Sequence, residues 1–135
     1  MIYFDTSALV KLVVREPESH ALARWLDERL GEDRVTSVIS RVELVRAAHR
    51  VSASATTHAH QLLRFLDVLY VTDAVIERAQ TIGGPYLRTL DALHLASAES
   101  IRPRLTAMCG YDRRLLDAAA AAGLPTASPR LLSSP

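Results

Sequence analysis

Short apolar runs alternate with longer segments of helical period along this chain, and that alternation limits the fold more than any other feature. The runs are residues 1–4 (MIYF), Val35–Val38, Val68–Val71, Leu105–Cys109 and Leu124–Ala127. Between them, residues 6–14 read as helix, and over Glu18–Leu30 the side chains Leu22, Trp25, Leu26 and Leu30 recur at helical spacing. Helices are also expected over Ser40–Arg50, Thr56–Leu66, Leu90–Glu99 and Asp112–Ala122, and one capped by Asp73. Pro17, Gly31, Gly83-Gly84-Pro85 and Gly123 punctuate the pattern. Brief strands separated by helical crossovers must pair in parallel and be covered on both faces. The expectation is an α/β fold with a small parallel sheet of about four or five strands, flanked by about six or seven helices. A single domain over residues 1–135 is expected, with a loose Ser- and Pro-rich tail over about residues 129–135.

The length of 135 residues and the 49% hydrophobic content suit one buried core and exclude a disordered chain. No apolar run is long enough to span a bilayer. The first residues do not read as a signal peptide, because a basic leader is missing and Asp5 interrupts the apolar stretch. A single cysteine, Cys109, leaves no intramolecular disulfide and fits a reducing, cytoplasmic setting; its apolar neighbours suggest a buried, inert thiol. The net charge of +1 argues against a protein that coats nucleic acid without specificity. Of the 16 basic residues only Lys11 is a lysine. Arginine binds phosphate through a planar fork of donors, although genome composition explains the bias equally well.

Four carboxylates, Asp5, Glu43, Asp91 and Asp112, fall where strand-like segments give way to helical ones. In an open α/β sheet such junctions gather along one edge, where ligands bind. Gathered acids repel unless a cation holds them, and hard divalent ions take oxygen ligands of this kind. Each acid also has a plainer reading. Asp5 and Asp112 can cap the helices that follow them. Ser40-Arg41-Val42-Glu43 fits a capping box. Thr89 can cap a helix that carries Asp91 in its first turn. Asp91, however, stands among Leu87, Leu90, Leu93 and Leu95, and a half-buried carboxylate needs a cation or a basic partner.

These residues carry a resemblance. Asp5-Thr6-Ser7-Ala8-Leu9 resembles the opening of PIN-domain ribonucleases. Together with Ser40-Arg41-Val42-Glu43-Leu44, Leu90-Asp91-Ala92-Leu93-His94-Leu95-Ala96 and Tyr111-Asp112-Arg113-Arg114-Leu115, it looks like the VapC toxin branch of that family. The ordered set spans nearly the whole chain. One departure is Cys109-Gly110 before Tyr111-Asp112, where relatives more often carry Thr or Ser, which puts the hydrogen bonding around Asp112 in question. The resemblance implies a PIN-like three-layer sandwich and Mg²⁺-dependent hydrolysis of RNA phosphodiesters, with Mn²⁺ able to substitute. It implies Asp5, Glu43, Asp91 and Asp112 as catalytic and metal-holding acids, and Thr6 or Ser7, Thr6 preferred, as a residue orienting a carboxylate or a metal-bound water. It also implies a VapB-type antitoxin partner and a homodimer. Candidate groove residues for the antitoxin are Leu22, Trp25, Leu26, Leu30, Leu62, Leu63, Phe65 and Leu66, which equally suit ordinary core packing.

Other features are read more plainly. His94 shares a helix face with Asp91, but between Leu93 and Leu95 it reads as a hydrogen-bonded core histidine. Asp117 reads as facing away from the acids, and Arg88 as either an RNA contact or a solvated loop charge. A phosphatase with an aspartyl nucleophile wants a second Asp at position 7, where this chain has Ser7. A receiver-like phosphoacceptor wants an acid pair and a late lysine. A non-catalytic binding module stands as the last alternative.

Overall fold

The computed structural model describes residues 1–130, and five parallel strands form its middle layer. In chain order the elements are β1 (Ile2–Phe4), α1 (Thr6–Val13), α2 (Ser19–Asp27), β2 (Arg34–Ser37), α3 (Ile39–His49), α4 (Ala53–Leu63) and β3 (Asp67–Leu69). There follow α5 (Asp73–Ala79), α6 (Thr89–Ser100), a 3₁₀ turn (Arg102–Arg104), β4 (Ala107–Cys109), α7 (Arg113–Ala121) and β5 (Thr126–Ala127). The sheet order is β3-β2-β1-β4-β5. The chain therefore winds outward from β1 to one edge, then crosses back and winds to the other. The switch in winding direction falls between β1 and β4, which pair with Phe4 opposite Cys109.

Side-chain alternation along the strands divides the core in two. Ile2, Phe4 and Cys109 pack on one face with Ala8, Leu9, Leu22, Leu26, Leu44, Ala48, Ala55 and Ala59 of α1–α4. Tyr3, Val35 and Met108 pack on the other with Val75, Leu95, Ala98, Leu115 and Ala119 of α5–α7. β1 is apolar throughout because both of its faces are covered. α6 is buried over most of its circumference, and its small residues Ala92, Ala96, Ser97 and Ala98 let it lie close to the sheet.

Element boundaries shift from the sequence reading for identifiable reasons. The α2 helix stops at Asp27, short of Leu30. Arg29 folds back to donate to the Trp25 carbonyl at 2.9 Å, and Leu30 is left exposed. Ser52 caps α4 by accepting from Ala55 N, so that helix starts earlier than Thr56. Thr72, not Asp73, caps α5, accepting from Val75 N. Pro129 and Arg130, expected in a loose tail, are held instead. The Tyr111 hydroxyl donates to the Pro129 carbonyl at 2.7 Å, and Arg130 reaches Glu18 at 3.3 Å. The rest of the expected tail, residues 131–135, lies outside the described residues.

Candidate active site

Asp5 leaves the C-terminal end of β1 at the switch point and is 2% exposed. Its Oδ1 caps α1, accepting from Ala8 N at 3.0 Å and from the Ser7 hydroxyl at 2.6 Å. Ser7 in turn accepts the Tyr111 amide at 2.7 Å, which ties the loop after β4 to the same carboxylate. Gly110, just past β4, faces Asp5. A Cβ there would lie 2.5 Å from Asp5 Cγ, so the close approach requires glycine. Burial pushes the Asp5 carboxyl above its usual range against the pull of these hydrogen bonds, and the charge of Asp112 adds to the rise.

Asp112 caps α7 through Oδ1, which accepts from Leu115 N at 3.1 Å. Asp91 sits in the first turn of α6, half-buried. Thr89 does not cap that helix; it is the first helical residue, and Arg88 ends the preceding extended segment without a side-chain cap. Burial raises the Asp91 carboxyl, and Asp112 and Glu43 raise it further by charge repulsion.

Glu43 does not close a capping box with Ser40. Ser40 lies within 2.8 Å of Thr36 Oγ1, and the Glu43 carboxylate turns toward α1 and α6. There its Oε1 accepts from Thr6 Oγ1 at 2.7 Å and meets His94 Nε2 at 2.8 Å. Burial alone would raise the Glu43 carboxyl, but the bonds from His94 and Thr6 outweigh it and hold the group below its ordinary value. Thr6 thus bonds to the Glu43 carboxylate, whereas Ser7 bonds to that of Asp5.

The structure thus brings the four expected acids to one end of the sheet, charge-coupled to one another. A cavity of about 1080 Å³ opens beside them, lined by Asp91, Asp112, Arg88, Arg113, Arg114 and Tyr86 among others. Asp117, expected to face elsewhere, lines the same cavity. Arg88 does so as well, while Arg41, Arg46 and Arg50 are exposed on or beside α3. Sequence reasoning gave Gly110 no role of its own and passed over Tyr3, the partner of His94. A glycine directly before an acid-bearing turn was the available signal for the first.

Among the described residues no three carboxylates, histidines or thiols close into a ready-made coordination shell. The donor chemistry nevertheless fits a hard cation that keeps part of its own water. Asp5 and Asp112 each commit only Oδ1, and Glu43 only Oε1, to partners among the described residues. One oxygen of each is left over, and Mg²⁺ commonly binds through a few carboxylates plus waters.

Residues 2–121 match the PIN domain family. The chain belongs to that family. It is 48% identical over 132 residues to ribonuclease VapC47 of Mycobacterium tuberculosis, covering 96% of this chain and 97% of the relative. It is 43% identical over 128 residues to ribonuclease VapC46 of the same organism, covering 95% and 97%. The fold is also similar to FitAB bound to the IR36 DNA fragment, with a TM-score of 0.77 at 18% identity, covering 99% of each chain. Against the sarcin–ricin loop cleaving toxin VapC20 of M. tuberculosis the TM-score is 0.73 at 18% identity, covering 92% of this chain and 96% of that one. The PIN-like architecture and the place of this chain among VapC-type relatives follow together.

Proposed function

We propose that this PIN-domain protein is a metal-dependent endoribonuclease toxin that hydrolyses RNA phosphodiesters and is neutralised by a VapB-type antitoxin. Mg²⁺ is the proposed cofactor, with Mn²⁺ able to replace it, and the setting is the cytoplasm. The observation that carries the reading is Asp5. This buried carboxylate at the switch point of the sheet is pinned by one oxygen and charge-coupled to Asp112, with Asp91 and Glu43 beside it. The identity to ribonucleases VapC47 and VapC46 over nearly the whole chain supports the choice of substrate class.

Asp5, Glu43, Asp91 and Asp112 would hold the cation, directly or through water. When bound, such an ion acidifies a water and neutralises charge building on phosphoryl oxygens. The chain's own residues do the rest. Ser7 and Ala8 N hold one oxygen of Asp5, and Thr6 holds one oxygen of Glu43. Arg88, Arg113 and Arg114, along the cavity wall, supply donors to the phosphates flanking the cleaved bond. In-line attack by water leaves a 5′-phosphate and a 3′-hydroxyl, and the 2′-hydroxyl takes no part.

Partner binding follows the same relatives, since solved neighbours include a toxin–antitoxin complex from Klebsiella pneumoniae and VapBC2 from Rickettsia felis bound to promoter DNA. On this chain the candidate antitoxin surface shrinks to half-buried Trp25, Leu62 and Leu63 and exposed Leu30 and Phe65. Leu22, Leu26 and Leu66 are core. A homodimer is part of the proposal. The phosphoacceptor alternative is disfavoured because Lys11 is engaged by Glu16 at 3.2 Å and Glu18 at 3.0 Å.

The test is incubation of antitoxin-free protein with total cellular RNA, with Mg²⁺ or with EDTA, beside Asp5→Asn. Discrete cleavage that needs both the metal and Asp5 and leaves 5′-phosphate ends supports the reading. A folded protein that binds Mg²⁺ but leaves every RNA intact contradicts it.

A further inference from the structure

Three of the acid-bearing elements are joined by one buried chain of hydrogen bonds that the reaction as proposed does not itself require. Tyr3 Oη lies 2.7 Å from His94 Nδ1, and His94 Nε2 lies 2.8 Å from Glu43 Oε1. Tyr3 is 0% and His94 2% exposed, and their rings meet edge to face with centroids 6.0 Å apart. Tyr3 stands two residues before Asp5, and His94 stands one helical turn after Asp91. The chain therefore runs from the strand that delivers Asp5, through the helix that delivers Asp91, to the carboxylate of Glu43 on α3.

The Glu43 end fixes one direction, and the tautomer of the ring sets the other. A carboxylate only accepts, so His94 Nε2 carries a proton toward Glu43. In the neutral ring Nδ1 must then accept, and the Tyr3 hydroxyl is the donor. Thr6 supplies the second donor to the same Glu43 oxygen, leaving Oε2 without a partner among the described residues.

We propose that His94 and Tyr3 are positioning residues for the acid site. Tyr3 sets the tautomer of His94, and His94 with Thr6 grips one oxygen of Glu43 so that the other is presented to the cation. The proposal rests on the metal-site reading of the four acids. It also explains why a histidine is buried among leucines on α6. A core role needs only a hydrogen bond, whereas this ring bridges a phenol and a carboxylate.

The test compares the wild type with His94→Leu, His94→Gln and Tyr3→Phe, each purified without antitoxin and checked for cooperative thermal unfolding. The readouts are Mn²⁺ affinity by calorimetry, cleavage of a fluorophore-labelled single-stranded RNA, and ¹H–¹⁵N spectra of ¹⁵N-histidine protein. His94→Leu should weaken Mn²⁺ binding by about tenfold or more, the usual scale for residues that orient metal ligands. His94→Gln places an amide donor near the position of Nε2 and should recover most of that loss. Tyr3→Phe keeps the ring, should weaken Mn²⁺ binding severalfold, and should lose the single Nε2–H tautomer expected of the wild type. Folded His94→Leu with unchanged Mn²⁺ affinity and cleavage overturns the proposal, as does equal impairment of the Leu and Gln variants. If the leucine variant does not fold, the tautomer and Mn²⁺ affinity of Tyr3→Phe decide alone, and no change in either overturns it. Absence of Mn²⁺ binding by the wild type instead sinks the metal-site reading and removes the basis of this one. Even then, the wild-type tautomer still reports whether the bonds run as described.

Discussion

Replacing Asp5 by Asn should make the metal-free protein more stable while abolishing its activity. The carboxylate is 2% exposed, and both of its partners, the Ser7 hydroxyl and Ala8 N, donate to the same oxygen, Oδ1. An amide keeps that oxygen and both bonds. It loses the charge assistance, about 1 kcal/mol for each bond. It also escapes the burial of an anion, a penalty of several kcal/mol even after relaxation, and the repulsion from Asp112. Burial outweighs the hydrogen bonds at this group, as the raised carboxyl shows, so the balance favours the amide by about 1–2 kcal/mol. For a chain of 135 residues that is a rise of about 3–8 °C in Tm, read by differential scanning calorimetry in EDTA. The pH dependence follows from the same sign. An acid whose folded value is raised costs stability above that value, and the cost vanishes as pH falls through it toward the unfolded value. The advantage of Asp5→Asn should therefore be greatest at alkaline pH, shrink on acidification and disappear below the ordinary carboxylate range. Added Mg²⁺ should stabilise the wild type and not the variant. Lower stability of metal-free Asp5→Asn at pH 8 would refute the reasoning.

Further outcomes are expected at neighbouring positions. Gly110→Ala forces a methyl against the pinned Asp5 carboxylate, and urea denaturation should show a loss of about 1–3 kcal/mol, with cleavage reduced at least tenfold. Ser7→Ala removes a donor to Asp5 and the acceptor of the Tyr111 amide, for about 1–3 kcal/mol of stability; an unchanged denaturation midpoint would contradict the role given to Ser7. The Cys109 thiol is buried and pushed up to about 12, by burial first and then by the Asp5 charge. A disulfide reagent at pH 8 should modify it only as fast as the protein unfolds, and rapid full labelling of native protein would count against that environment. Half-buried Trp25, with the Arg29 guanidinium 4.2 Å from its ring centroid, should change fluorescence when a VapB-type partner is added.

Much of the architecture was legible because burial on both faces leaves a plain signature. Ile2, Tyr3 and Phe4 form an uninterrupted apolar run only because helices cover both sides of β1. Helix ends were less legible, since they depend on single side-chain bonds. Thr72 rather than Asp73 takes the cap of α5, and Arg29 rather than Gly31 finishes α2. At the site, Asp5 and Asp112 do stand just past strands, but Asp91 follows a loop after α5 rather than a strand, and the fate of Glu43 was not legible. Ser40 to Glu43 matches a capping box by spacing, and only the third dimension shows Thr6 and His94 competing successfully for the carboxylate. The Tyr3–His94 contact joins residues 91 positions apart, beyond the reach of any local pattern.

Capping and metal holding are not rival explanations for these acids. Asp5 and Asp112 each spend Oδ1 on the first turn of the helix that follows, and that bond fixes the rotamer and leaves the second oxygen without a partner among the described residues. The positive ends of α1 and α7 also ease the concentration of negative charge beside β1 and β4. Both helices start at the C-terminal ends of adjacent parallel strands, on opposite sides of the winding switch, so the two caps must fall near each other. A doubly wound sheet therefore brings two capping acids together as a by-product of its topology. Asp91 from α6 and Glu43, bonded to Thr6 and His94, would convert that coincidence into the proposed four-acid site.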